Sequence, residues 1–325
     1  MVQSGLLTLS DMVVLDEAPS FNPAIKSADL QAKQICKACG IQLPHYNEYA
    51  TMSAYLYPHT SEAKLVAVNV LMNMFFYVDD VINDDRMEKE DLKYRKVFAK
   101  MIHIIKNGDD SFQLHPLLKV GQELHRLFFA EAEPIYLNRF ISAAAKYLNT
   151  TTFALSDIVN ESGRLTSKRY IHYREFTSGM KMTVDLVEFA WGIDLPESIR
   201  KHPIIARMYS IASQVGCLMN DVFSYHKEVN EIGTKYNLIA VYMDEYNLDF
   251  DEGAHQAISY LNRIITEFAE LETMVPLWED QTLNAQVAHY TSGMRDIINA
   301  TWHWQWTTNR YRSPESPFSE LKHLL

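Results

Sequence analysis

Apolar residues recur along most of the chain at the three-to-four-residue spacing of helices, and no segment alternates with the two-residue period of a strand. Residues 24–39 predict a helix stopped by Gly40, a residue suited to the left-handed conformation that ends helices. Ser61 is positioned to cap a long apolar helix running to about Val81. Helices follow near 88–106, 116–131 and 134–149, the last two opened by Pro116 and Pro134, whose fixed φ and missing N–H suit a first helical turn. Periodic segments then cover 151–162 and 167–191, the second interrupted around Thr177-Ser178-Gly179. Pro203 opens a long helix, and segments near 234–246, 251–273 and 281–306 complete the series. Residues 1–21 and 312–325 read as irregular tails, the second loosened by Pro314 and Pro317. The pattern predicts an all-α fold, a helical bundle formed by one domain over residues 1–325.

Composition supports this architecture and narrows the function. Hydrophobic residues make up 47% and aromatics 12%, enough for a large core, and with only 11 Gly and 11 Pro no linker divides the chain. No internal repeat of 20 to 50 residues stands out. The formal charge of −11 argues against a nucleic-acid partner, which requires a basic face. The first residues lack the basic region of a secretory signal, and no apolar run reaches the roughly 18 residues that span a bilayer, so a cytoplasmic protein without a membrane partner is expected. Cys36 and Cys39 form a C-x-x-C pair and Cys217 stands alone. A zinc site would require two further ligands, and a thioredoxin-like role a βαβ setting, so these read as ordinary helix residues of a reducing compartment. The 12 histidines form no H-E-x-x-H pattern.

The chemistry lies in two clusters. Asn220, Ser224 and Glu228 recur every four residues, so on an α-helix they span roughly 80° and share one face. All three offer oxygen, which suits a hard divalent cation such as Mg²⁺. About 140 residues earlier, Asp79, Asp80, Asn83, Asp84 and Asp85 crowd the end of an apolar helix, where the negative end of the helix dipole disfavours carboxylates unless a cation compensates. Acid-rich helix ends are often merely solvated; it is the second oxygen row that makes the two clusters a candidate site for metal ions and a phosphate-bearing substrate.

Together these residues resemble the class I terpene synthases, the microbial single-domain terpene cyclases. Phe75-Phe76-Tyr77-Val78-Asp79-Asp80 resembles that family's aspartate-rich motif with its preceding aromatic pair, and Asn220-Asp221-x-x-Ser224-x-x-Lys227-Glu228 its second metal motif. Arg174, 46 residues before Asn220, stands where the family carries an arginine that senses pyrophosphate, and Arg310-Tyr311 resembles its pyrophosphate-binding Arg-Tyr pair. The sequence departs from the family at Asn83, where many members carry an acid, so Asp80, Asn83 and Asp84 stay open as partners of Asp79.

The resemblance implies an isoprenyl diphosphate substrate and three Mg²⁺ ions, two held by Asp79 with Asp84 and the third by Asn220, Ser224 and Glu228. Arg174, Lys227 and Arg310 would give the diphosphate charge-assisted hydrogen bonds, and Tyr311 a neutral one. Phe76 would present its ring to the carbocation, with Phe153, Trp302 and Trp304 as further aromatic candidates. Ser178 would aim a backbone carbonyl at the cation from the helix break, and a homodimer is compatible with the family. Farnesyl diphosphate is the expected substrate and geranylgeranyl diphosphate the alternative. A chain-elongating isoprenyl diphosphate synthase would show a second Asp-Asp-x-x-Asp, which is missing here, and a class II cyclase an Asp-x-Asp-Asp, also missing. A non-enzymatic helical carrier would release no pyrophosphate with Mg²⁺.

Overall fold

The computed structural model describes residues 8–41, 46–78, 91–108, 115–132, 134–150 and 164–323. They form α1 (Ile25–Cys39), α2 (Tyr46–Leu56), α3 (Glu62–Tyr77), α4 (Asp91–Asn107), α5 (Pro116–Glu131) and α6 (Pro134–Thr150). These are followed by α7 (Ser167–Thr177), α8 (Met180–Trp191), the short α9 (Glu197–Arg200), α10 (Pro203–Tyr225), α11 (Leu238–Tyr246), α12 (Phe250–Thr273) and α13 (Gln281–Thr307). No strand occurs among the described residues, and the fold is all-α as the periodicity predicts. No described helix is long and apolar enough to cross a membrane.

Two helices form the interior. From Leu65 to Met74 every residue of α3 is buried, which follows from a sequence apolar on all sides rather than along one stripe. It is covered by α1, α2 and α5. From Ile211 to Met219 and again from Asp221 to Tyr225, α10 is buried in the same way, within α7, α8, α11, α12 and α13. The caps follow the sequence: Gly40 ends α1 at φ 87°, and Ser61 Oγ accepts the Lys64 N–H at 3.4 Å. Asp249 and Glu252 cap α12 reciprocally, satisfying N–H groups the helix cannot.

Three features differ from the sequence reading. Helix α2 was not foreseen, because its sequence YNEYATMSAYL lacks a clean apolar stripe; it is held by burial of Tyr49, Ala50, Ala54 and Leu56 against α3 and α13. Helix α11 starts at Leu238 rather than near residue 234, because Asn237 leaves the helical conformation to cap it. The last segment is irregular but not loose. Tyr311, Phe318 and Leu321 are buried, the Phe318 ring meets Phe250 at 5.2 Å, and Arg312 donates to the carbonyls of Trp306, Glu320 and His323. The prolines there interrupt helix formation without preventing docking.

Candidate active site

The oxygen row spans a change of helix type. Asn220 and Ser224 lie on α10, but α10 ends at Tyr225 and residues His226–Ile232 continue as a π-helix that carries Glu228. The expected single α-helical face is therefore corrected: the wider turn re-aims Glu228. Gly233, at φ 82°, closes the π-helix, and the Gly233 and Thr234 N–H groups cap the Glu228 carbonyl, the latter at 3.0 Å.

Each ligand candidate has a defined setting. Asn220 is half-buried; its Oδ1 accepts from Arg174 Nη2 at 3.3 Å and its Nδ2 donates to the Tyr311 hydroxyl at 2.8 Å. Ser224 Oγ is buried and makes no well-formed hydrogen bond, its influence being confined to helping hold down the Glu228 carboxyl. Glu228 Oε2 accepts from Asn237 Nδ2 at 3.0 Å. Burial, reinforced by nearby Asp221, pushes the Glu228 carboxyl up to about 7 against the opposing pull of Arg174, Asn237 and Ser224. Among the described residues no three His, Cys, Asp or Glu side chains are arranged to hold a metal ion. An orphaned buried hydroxyl, an amide oxygen and a desolvated carboxylate in one row instead fit a hard divalent cation.

Arg174 approaches this row from α7. Its Nε donates to Asp221 Oδ1 at 2.8 Å, and Asp221, fully buried, also accepts from the Tyr170 hydroxyl at 2.5 Å and the Leu238 N–H at 3.1 Å. Three converging donors are the surroundings of a buried carboxylate. Burial would lower the Arg174 pKa, but Asp221, with Tyr170, Glu228 and Cys217 adding to its effect, outweighs burial and holds the guanidinium charged. Just beyond Arg174 the helix breaks where expected: Ser178 ends α7, its Oγ accepts the Met180 N–H at 3.2 Å, and Gly179 turns at φ 75°. A side chain at Gly179 would also press on the Tyr147 ring, 3.3 Å from where its Cβ would stand. Thr177 Oγ1 and the Tyr236 hydroxyl lie 2.9 Å apart, which pins the break to the loop after the π-helix.

Opposite stands an aromatic wall. The Phe76 ring stacks on Tyr49 at 3.8 Å and packs at 6.0 Å from Trp304, which in turn meets Tyr311 edge-on at 6.1 Å. The Arg310 guanidinium lies 5.4 Å from the ring centres of both Tyr49 and Phe76, and its Nη1 donates to the Tyr49 hydroxyl at 2.8 Å. Lys227 is half-buried and close enough to Tyr311 to act on it electrostatically.

The structure thus joins Arg174, Asn220 and Tyr311 by direct hydrogen bonds and links Glu228 to them through Asn237 and Asp221, with Ser224 buried on the same segment and Lys227, Arg310 and Phe76 beside it. Trp304 belongs to that wall, whereas Trp302 stacks on Trp306 at 5.1 Å in another cluster. Asp79, Asp80, Asn83, Asp84 and Phe153 lie outside the described residues. Sequence reading missed Tyr49, Tyr170, Asp221 as an anchor, Tyr236 and Asn237. Tyr170 could have been found one helical turn before Arg174, and Asn237 by its capping position; nothing in the sequence points to Tyr49.

Residues 70–269 match the family described as "Terpene synthase family 2, C-terminal metal binding". Over 293 residues the chain is 26% identical to alpha-muurolene synthase of Coprinopsis cinerea, covering 88% of this chain and 66% of that protein. It is 24% identical over 266 residues to the (+)-T-muurolol synthase ((2E,6E)-farnesyl diphosphate cyclizing) of Roseiflexus castenholzii, covering 81% of this chain and 80% of the other. Sesquiterpene synthase 3 of Postia placenta is 30% identical over 178 residues, 53% of this chain and 48% of its own. The chain therefore spans about two thirds of the muurolene synthase and about half of sesquiterpene synthase 3 in these matches. The crystal structure of a-eudesmol synthase superposes with a TM-score of 0.78 at 19% identity, covering 91% of this chain and 98% of that one. At that identity the likeness speaks for the fold, the all-α fold of class I terpene synthases.

Proposed function

This chain belongs to terpene synthase family 2, and on that premise we propose that it is a Mg²⁺-dependent class I cyclase that ionises farnesyl diphosphate, releases pyrophosphate and cyclises the cation to a sesquiterpene hydrocarbon or alcohol. It is a carbon–oxygen lyase on this reading. The observation that carries it is the convergence of the motif residues: Asn220 bonded to Arg174 and Tyr311, Glu228 tied back to the same helix through Asn237, and the buried Ser224 hydroxyl between them in sequence. The C15 substrate is supported by relatives named as muurolene, muurolol and protoilludene synthases.

Asn220, Ser224 and Glu228 hold one of three ions, and the resemblance assigns the other two to Asp79 with Asp84. When bound, the ions neutralise the diphosphate and make it a competent leaving group. Arg174, already charged and fixed on one edge by Asp221, turns its remaining N–H groups to diphosphate oxygens; Lys227, Arg310 and Tyr311 add further donors. The C–O bond electrons leave with the diphosphate oxygen, and the allylic cation faces Phe76, whose ring stabilises it and helps exclude water. Ser178 lends the break its carbonyl direction. The three buried free cysteines fit a reducing compartment, and the proposal places the enzyme in the cytoplasm.

Purified protein with Mg²⁺ is expected to release pyrophosphate and give a product resolved by gas chromatography, with the C15 diphosphate turned over faster than the C10 or C20 homologue. No turnover with any of the three would sink the reading, and a preference for C20 would correct the substrate.

A further inference from the structure

Asn237 is fully buried, and both its amide N–H groups and its amide oxygen are hydrogen-bonded. Nδ2 donates to the Asp221 carbonyl at 2.7 Å and to Glu228 Oε2 at 3.0 Å, while Oδ1 accepts the Ile239 N–H at 3.1 Å as the cap of α11. The amide orientation is therefore forced: the Ile239 N–H requires the oxygen on its side, which leaves the amino group for the two acceptors. Around it the loop binds the same region from other directions. The Thr234 N–H holds the Glu228 carbonyl at 3.0 Å, and the Leu238 N–H holds Asp221 Oδ2 at 3.1 Å.

Glu228 needs such support more than Asn220 or Ser224 do. It sits beyond the end of α10, on a π-turn, a rare wider turn that interrupts the α-helical register. With Oε2 tied to Asn237, that bond sets the orientation of the carboxylate. The bond to the Asp221 carbonyl fixes the amide to the rigid part of α10 beside Asn220. One side chain thus sets the distance between the two ends of the oxygen row.

We propose that Asn237 is a positioning residue for the metal site, orienting Glu228 as a ligand through its amide N–H groups. The inference rests on the reading of Asn220, Ser224 and Glu228 as metal ligands, and deepens it. Outer partners that orient a metal ligand typically change metal affinity by about 10- to 100-fold when removed.

Asn237→Ser keeps an acceptor for the Ile239 N–H but removes both donors; Asn237→Asp keeps the cap and sets a second carboxylate against Glu228. Asp249→Ala, which removes the cap of α12 away from the site, controls for capping alone. The full chain is titrated with MgCl₂ at fixed inorganic pyrophosphate, following its melting temperature, and again at fixed farnesyl diphosphate, following turnover. The Mg²⁺ concentration for half-maximal response is expected to rise about 10-fold or more in Asn237→Ser and further in Asn237→Asp, with turnover recovering at high Mg²⁺ in the serine variant. Asp249→Ala is expected to lower the melting temperature without moving that midpoint. A wild-type midpoint in Asn237→Ser, or in Asn237→Asp should the serine variant not fold, overturns the proposal whatever the melting temperature. A wild-type protein that responds to Mg²⁺ in neither titration defeats the ligand reading itself, and this inference with it.

Discussion

The two walls that meet at Tyr311 are built by opposite means. On the α10 side the functional side chains are held by directed bonds: Arg174 to Asp221, Asn220 to Arg174 and Tyr311, Glu228 to Asn237. On the α3 side Phe76 is held chiefly by faces, stacked on Tyr49 and packed against Trp304, and Arg310 donates to the Tyr49 hydroxyl behind it. Directed bonds in a buried setting fix positions to fractions of an ångström, and lose most of their worth when one partner goes. Stacked rings tolerate sliding and repacking. On the proposed function this divides the labour: the polar wall fixes where the diphosphate sits, and the aromatic wall shapes the space the cation explores.

If that division is right, the polar wall should fail abruptly. Asn220→Leu or Glu228→Ala is expected to cut turnover about a thousand-fold or more, roughly 4 kcal/mol of transition-state stabilisation, while far-ultraviolet circular dichroism stays helical. Substantial turnover in either variant would refute the metal assignment. Next in size is Arg174→Lys. Lysine keeps the charge but has no planar fork, so it cannot hold Asp221 with one edge and a phosphate oxygen with another. A loss of about 10- to 100-fold in kcat/KM is expected, equivalent to the roughly 1.5–3 kcal/mol of a hydrogen bond to a charged group. Wild-type kinetics in Arg174→Lys would contradict the role given to its geometry.

The same division explains what was legible in the sequence. The all-α class was readable because α1, α5, α12 and α13 carry periodic stripes and recognisable ends, and α10 a long apolar run opened by Pro203. The polar wall was largely readable because Asn220, Ser224 and Glu228 recur at a fixed spacing and Arg174 stands at a family position. Its supports were not: Tyr170 and Asn237 reach Asp221 from elements 51 and 16 residues away, and only the folded chain brings them together. The π-turn under Glu228 was also hidden, since HKEVNEI carries no distinct signal for the wider helix and reads as a continuation of α10. On the aromatic wall, Phe76 was marked by its place before Asp79, but Tyr49 sits on α2, whose pattern did not declare a helix at all.

The aromatic wall should respond by degrees. Phe76→Leu keeps an apolar side chain of similar bulk and removes the ring face, so it loses a cation–π contribution of about 0.5–2 kcal/mol. Turnover is expected to fall about tenfold, with the product mixture shifting toward acyclic or water-quenched compounds by gas chromatography. A fall as steep as that of Glu228→Ala would break the contrast between the walls, and an unchanged product mixture would remove Phe76 from the cation's surroundings.

The smallest effect comes from a carboxylate that neither wall uses. Burial raises two carboxyls: that of Asp221, where three converging donors and the Arg174 charge oppose the rise, and on α8 that of Asp185, pushed up to about 7 from 3.8, with Glu188 adding to the rise and Tyr209, Arg139 and Arg200 opposing it. The folded-state pKa lies above the unfolded one, so the folded protein binds the extra proton. The stability this provides is complete below about pH 4 and is lost as pH rises through about 7. Asp185→Asn is neutral at every pH and escapes that loss. Relative to wild type its melting temperature is therefore expected to gain between pH 5 and pH 8, by an amount on the order of 1–3 °C for a chain of this size. Turnover at fixed Mg²⁺ is expected to stay near the wild-type value. A difference in melting temperature that is flat across this range would show that Asp185 is ionised and well solvated in the fold.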